Sequence, residues 1–233
     1  MSNLSRRDFL RTGVLGLAAA GTGSLILRSD AAPTPASGSK TDKVSTAAKG
    51  ASPALRPTSA NIQGPFYRTG APYRAKVSPP LAPGTTLLIQ GRVWSHQTKK
   101  SLPNATLDVW HASAQGRYDN DDRSQPPAPD VYLYRVRLVT DENGFYEYET
   151  IHPGRYPLDE TRLRPSHIHY QISAPQHKTL ITQLYFKGDT QIVGDPFVQP
   201  SLIIALKNNA VGLSSYESGI FDIVLAGRSA ARN

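Results

Sequence analysis

The 233-residue chain contains no cysteine. Disulfides are therefore excluded, as is a lipid anchor on an N-terminal cysteine, and thiolate is removed from the choice of metal ligands. Long apolar runs are also scarce. The main uncharged stretch, Val14 to Leu27, is too short and too glycine-rich to span a bilayer stably, so no stable membrane anchor is expected. Helical periodicity is missing, and 19 prolines punctuate the chain. There is no glycine-rich phosphate cradle of the kind that binds a nicotinamide or flavin. Basic residues are in excess, but residues 1–58 hold five of the eight net positive charges. The nearly balanced remainder lacks the clustered basic face that nucleic-acid binding requires.

What is present begins with Ser5-Arg6-Arg7-Asp8-Phe9-Leu10, followed by the apolar stretch and by the small residues Ala31 and Ala32. A paired arginine in this setting describes a twin-arginine export signal over residues 1–32. The twin-arginine machinery is then an expected partner, and the mature protein is expected to be periplasmic or secreted. Pro33 to Thr58 is built from Ala, Ser, Thr, Pro and Lys and reads as a flexible linker. The folded domain is expected over residues 59–233, long enough for one core.

Within that domain strand signals dominate. Runs rich in β-branched and apolar residues lie at Thr86–Val93, Ala105–His111, Leu133–Thr140, Gly144–Ile151, Ser166–Ala174, Thr179–Phe186, Ser201–Leu206 and Ile220–Ala226. The turn Asp141-Glu142-Asn143-Gly144 makes the third and fourth read as a hairpin. The fold class expected is all-β, a sandwich with little helix and long rim loops at residues 119–130 and 157–163.

The most informative string is Arg164-Pro165-Ser166-His167-Ile168-His169. On a strand, His167 and His169 point to one face and Ile168 to the other, so two imidazoles are offered to a single point. The remaining ligands are open at this level. A carboxylate from Asp119, Asp121, Asp122, Asp159 or Glu160 would suggest zinc hydrolysis or ferrous oxygenation. Tyrosine is the other choice, with Tyr156 in Pro153-Gly154-Arg155-Tyr156-Pro157 and Tyr118 after Trp110-His111-Ala112. Two phenolates with two imidazoles would favour a hard trivalent ion. Spacing alone does not select those two from eleven tyrosines. The histidines outside the pair, at positions 96, 111, 152 and 177, read as structural.

Several stretches together resemble the intradiol ring-cleavage dioxygenases, the family of protocatechuate and catechol dioxygenases. They are Gly64-Pro65-Phe66-Tyr67, Asp108-Val109-Trp110-His111-Ala112, Gly116-Arg117-Tyr118, residues 140–144, residues 153–157, residues 164–169 and Leu180 to Asp189. Their order and spacing cover most of the folded domain. The resemblance implies a prealbumin-like sandwich holding non-haem Fe(III) through Tyr118, Tyr156, His167 and His169. It also implies cleavage of a small aromatic diol with O2 to a cis,cis-muconate-type dicarboxylate. Tyr156 would accept a proton from the diol, Arg164 would stabilise the anionic substrate, and Gln183 would stand near the same centre. Tyr67 and Leu158 would line the substrate mouth.

Two features depart from the family pattern. Leu158 occupies a place that is often tryptophan in protocatechuate enzymes, whereas residues 64–72 look like the catechol branch. The chain lacks the helical N-terminal domain through which catechol-type members dimerise, so the mode of any homo-oligomer is not carried over. A non-catalytic transthyretin-like binding module and a zinc hydrolase are the alternatives.

Overall fold

The computed structural model describes residues 55–228. The expected export segment, and the linker up to residue 54, lie outside the described residues. Among the described residues Leu55, four positions before residue 59, already contacts the domain. Its carbonyl accepts from His96 Nδ1 and Lys99 Nζ, and Thr58 N donates to Val224 O at 3.0 Å.

Among the described residues twelve strands are formed, and the helical elements are short 3-10 turns at Thr190–Ile192 and Pro200–Leu202. In chain order they are β1 (Thr86–Ser95), β2 (Thr106–His111), β3 (Arg135–Val139), β4 (Phe145–Ile151), β5 (Tyr156–Pro157) and β6 (Leu163–Arg164). There follow β7 (His167–Ser173), β8 (Leu180–Phe186), β9 (Ile203–Ile204), β10 (Lys207–Val211), β11 (Ser214–Ile220) and β12 (Ile223–Leu225). One sheet is organised on β1, with β4 antiparallel along one edge and β11 then β12 parallel along the other; β10 extends it beyond β11. The second sheet runs β3-β2-β7-β8-β9, and β5 and β6 form a separate ribbon.

The core lies between the two five-stranded sheets. Leu87, Ile89 and Val93 on alternate positions of β1 join Leu107, Val109, Ile168, Tyr170, Ile172 and Leu184 from the second sheet. The hydroxyls of Tyr148 on β4 and Tyr170 on β7 hydrogen-bond to one another across it. Each phenol thereby satisfies the other without water.

The all-β sandwich is as expected, and each expected strand run contains an observed strand, with two corrections. Residues 133–140 and 144–151 are not a hairpin, because β3 pairs with β2 while β4 pairs with β1 in the other sheet. The turn between them forms as its residues suggest, with Asp141 Oδ1 accepting from the backbone of Asn143 and Phe145 at 2.8 Å. Gly144, at φ +70°, lies so close to Ser101, Leu102 N and Val93 O that a Cβ would stand 2.8–3.0 Å from them. That close approach directs the outgoing strand into the β1 sheet.

The run Ile220–Ala226 is the end of one strand and the whole of another. At the break, Asp222 Oδ1 accepts from Arg92 N at 2.8 Å and takes the place of a ladder bond. The β10–β11 hairpin was not foreseen. Its residues are polar and mostly exposed, so they carry little strand signal, and Gly212 at φ +59° turns it.

His111 ends β2 fully buried. Its Nδ1 donates to Ala112 O at 2.7 Å, which leaves Nε2 to accept from Thr150 Oγ1 at 2.6 Å. Burial lowers its pKa to about 4. Below pH ~6.5 the unfolded chain binds a proton that the folded histidine refuses, so this stabilisation is complete above ~6.5 and is lost as pH falls towards about 4. Urea unfolding is expected to show a loss of about 2 kcal/mol between pH 7 and pH 5 from this residue. His111→Asn should flatten that part of the profile; an unchanged pH slope would contradict the assignment.

Candidate metal centre

The alternation of β7 sends Ile168, Tyr170 and Ile172 into the core and His167 and His169 to the outer face of the second sheet. Strand register then sets their neighbours. Trp110 of β2 and Gln183 of β8 stand on either side of His169, and Tyr185 stands beside His167. The indole of Trp110 stacks on the His169 ring at 4.9 Å and 6°.

Both histidines are buried in spite of facing outward, because loops cover this face. Gly64, at φ +74°, passes over His169, where a Cβ would stand 3.1 Å from Cε1. Phe66 stacks on Tyr118 at 4.3 Å and meets Tyr156 edge-on at 5.9 Å. Two loops bring the tyrosines together, each carrying the tripeptide Gly-Arg-Tyr. A Cβ on Gly116 would lie 2.0 Å from Arg155 O, and one on Gly154 would lie 2.3 Å from Ala114 O. The loops therefore pack backbone against backbone, and only glycine permits it. The result sets the Tyr118 and Tyr156 rings 5.5 Å apart and nearly perpendicular, with Tyr156 5.3 Å from His167.

The polar atoms of this cluster are underused. His167 Nδ1 faces Pro165 O at 2.7 Å and must donate to it, so its Nε2 presents a lone pair. That atom lies 3.1 Å from His169 Nε2. Tyr118 Oη and His169 Nδ1 are buried without a hydrogen-bond partner among the described residues. An unpaired buried hydroxyl costs about 1–3 kcal/mol, which a bound cation would offset. Burial and the neighbouring Arg164 lower the His167 pKa to about 3, and burial with the charge of His167 holds His169 well below its ordinary value. Both imidazoles are therefore neutral, the form that binds metal. Burial raises both phenols; for Tyr118 the nearby Tyr156 adds to this, whereas for Tyr156 the charge of Arg164 opposes it. Two imidazole nitrogens and two phenol oxygens in a dry cluster fit a hard trivalent ion.

Carboxylates take no part. Among the described residues no group of three or more His, Cys, Asp or Glu is placed to hold a metal. Asp119 pairs with Arg68 and Arg135, Asp121 with Arg117, and Asp159 with Arg162; Asp122 caps the backbone and hydroxyl of Ser124. Arg164 pairs with neither Asp159 nor Glu160. Its Nε donates to buried Asp195 at 2.7 Å, Nη2 donates to Gln183 Oε1 and Tyr185 Oη at 3.0 Å, and Nη1 reaches Tyr156 Oη at 3.4 Å. Phe197 covers the guanidinium at 4.8 Å.

Residues 62–227 match the family described as Dioxygenase. The chain belongs to that dioxygenase family. It is 34% identical over 207 residues to catechol 1,2-dioxygenase 2 of Acinetobacter lwoffii, a match covering 81% of this chain and 68% of that protein. In structure it is similar to 3-chlorocatechol 1,2-dioxygenase from Rhodococcus opacus 1CP, with a TM-score of 0.66 and 28% identity over 75% of this chain and 76% of the other. It also resembles the dioxygenase domain of a dioxygenase–carbohydrate-binding fusion from Streptomyces sp. SirexAA-E, with a TM-score of 0.62 and 29% identity. That match covers 74% of this chain and all of the domain.

Of the two residues expected at the substrate mouth of this dioxygenase, Tyr67 packs against the Trp110–Tyr118 cluster of the site, and Leu158 lies on the Asp195 side. Tyr67 packs on Trp110 at 4.9 Å, and its neighbour Phe66 is the ring that meets both tyrosines. Leu158 lines a small cleft with Arg162, Leu163, Gln191 and Val193, on the side of Asp195. Tyr185, which the sequence reading did not single out, donates to Gln183 Oε1 at 2.7 Å and belongs to the arginine network. Its place two residues after Gln183 on one strand face was the available signal. Asp195 carried none, since it is 31 residues from Arg164 in a loop.

Gly154→Ala tests the backbone contact that pairs the two tyrosine loops. Overpacking of this kind is expected to lower the unfolding free energy by about 1–3 kcal/mol and to weaken metal uptake. A variant that binds metal and resists urea like the parent protein would contradict it.

Proposed function

We propose that the chain is a non-haem Fe(III) intradiol dioxygenase that opens the ring of catechol-type diols with O2 to give cis,cis-muconate-type dicarboxylates. The observation that carries this reading is the meeting of Tyr118, Tyr156, His167 and His169 in one buried cluster beside an ion-paired arginine. Those four side chains would hold the ion. Bound there, ferric iron would supply the Lewis acidity that makes a chelated diol, rather than a reductant, the source of electrons for O2. The zinc-hydrolase alternative is disfavoured because the nearby carboxylates are engaged by arginines. A binding module that had merely kept the fold would have no use for an arginine buried against a phenol.

The residues divide the remaining work. Tyr156 is the half-buried tyrosine of the two, and its Oη, as phenolate, would take the proton released as a diol hydroxyl ionises. Arg164 Nη1, 3.4 Å from that oxygen, holds negative charge developing on the ring. It cannot swing away, because Asp195, Gln183, Tyr185 and Phe197 fix the guanidinium on every side. Gln183 is itself anchored through Nε2 to Ile62 O at 2.9 Å. Phe66 and Trp110 keep water from the donor atoms, and Pro165 O keeps His167 in the tautomer that exposes Nε2. The relatives' names support catechol-type substrates. The Arg6-Arg7 segment supports export by the twin-arginine machinery to the periplasm or beyond.

Turnover of catechol under 18O2 should give a ring-opened dicarboxylate carrying both labelled atoms. Arg164→Gln is expected to lower kcat by about 10²–10³-fold, and Tyr156→Phe by about 10²–10⁴-fold. A product carrying one label or none, or full activity in both variants, would overturn the reading.

A further inference from the structure

One fully buried cation near the centre has no part in the mechanism above. Arg135 stands on β3 at the end of the rung that runs through Trp110, His169 and Gln183. Its Nε donates to Asp119 Oδ1 at 2.7 Å, Nη2 lies 2.6 Å from the same oxygen and 2.6 Å from Asn120 Oδ1, and Nη1 has no partner. The side chains of Arg135 and Asp119 are each 1% exposed.

Asp119 directly follows Tyr118, and its Oδ2 accepts from Arg68 at 2.9 Å and from Leu133 N at 3.2 Å. Arg68 lies two residues after Phe66, the ring stacked on Tyr118. One carboxylate thus ties together the Tyr118 loop, the Phe66 loop and the start of β3. Two guanidinium groups meet one carboxylate, so the cluster keeps a net positive charge, with the Arg135 guanidinium carbon 5.9 Å from the Tyr118 ring centre. Arg164, beside Tyr156, is matched one to one by Asp195.

We propose that Arg135, held by Asp119, is a positioning residue that sets the donor strength of the Tyr118 phenolate towards ferric iron, an inference that rests on the tyrosinate reading above. A positive charge beside a phenolate lowers the energy of its donor electrons. Removing that charge raises them, so that phenolate-to-Fe(III) charge transfer needs less energy. Removing the negative charge of Asp119 does the reverse.

The test compares visible spectra, iron affinity by chelator competition and thermal unfolding of full-length protein loaded with Fe(III). Arg135→Met should move the band to longer wavelength and should not weaken iron binding, because the phenolate is then the stronger donor. Arg135→Lys should keep the parent band, and Asp119→Asn should move it to shorter wavelength. Both Arg135→Met and Asp119→Asn break the same ion pair, so a merely structural cluster would shift both bands in the same sense or neither. Either result, with the parent band present, overturns the inference. Should Arg135→Met not fold, Arg68→Gln removes the more exposed of the two cations and should give a smaller shift to longer wavelength; an unmoved band there overturns the proposal. A parent protein without any band overturns the tyrosinate reading itself.

Discussion

The structure depends on the two-residue alternation of β7. Ile168, Tyr170 and Ile172 are driven into the space between the sheets, where each buried aliphatic side chain contributes roughly 1.5–3 kcal/mol. That burial forces His167 and His169 to the opposite face and makes their register non-negotiable, because a slip by one residue would exchange core and site. The candidate metal centre is therefore a by-product of core packing in its first half. The free energy that orders the two imidazoles comes from the aliphatic side chains behind them.

The second half needs cover. A single sheet face would leave two histidines in water, with pKa values near those of free imidazole. The Gly64–Phe66 segment and the paired Gly-Arg-Tyr loops close over the face, and the resulting dryness keeps the histidines neutral. Burial also makes the uncompensated Tyr118 phenol costly, so the same cover that prepares the nitrogen donors prepares this oxygen donor to welcome a cation. Charge is admitted into this dry region only in matched or nearly matched groups, Arg164 with Asp195 and Arg135 with Asp119 and Arg68. Breaking a buried pair by removing one partner costs about 3–5 kcal/mol, so these groups hold the loops as firmly as they hold the charges.

The His-x-His pair and the sandwich were legible because they rest on local rules, side-chain alternation and the frequency of β-branched runs. The two tyrosines of the cluster were not legible from spacing, yet a signal was present: the repeated Gly-Arg-Tyr, whose glycines permit the close approach of Gly116 to Arg155 and of Gly154 to Ala114. That meaning becomes visible only once the two loops are seen to touch. The expected hairpin at Asp141–Gly144 failed for a related reason. The turn chemistry is the same whether a chain folds back in its own sheet or crosses to the other, and the choice is made by the distant Val93 and Ser101 against Gly144. Asp195 and Tyr185 were hidden because their roles are set by Arg164, a partner far away in sequence. Phe66 was not singled out because it lies in an irregular segment, where side-chain alternation gives no signal.

Phenolate coordination is the central claim, and visible absorption by aerobically purified, Fe(III)-loaded protein tests it most directly. The account predicts a coloured protein whose charge-transfer band is altered in Tyr118→Phe and again in Tyr156→Phe, and which shifts when catechol is added without O2. A protein that remains colourless after iron loading, or whose band is identical in both tyrosine variants, would contradict it.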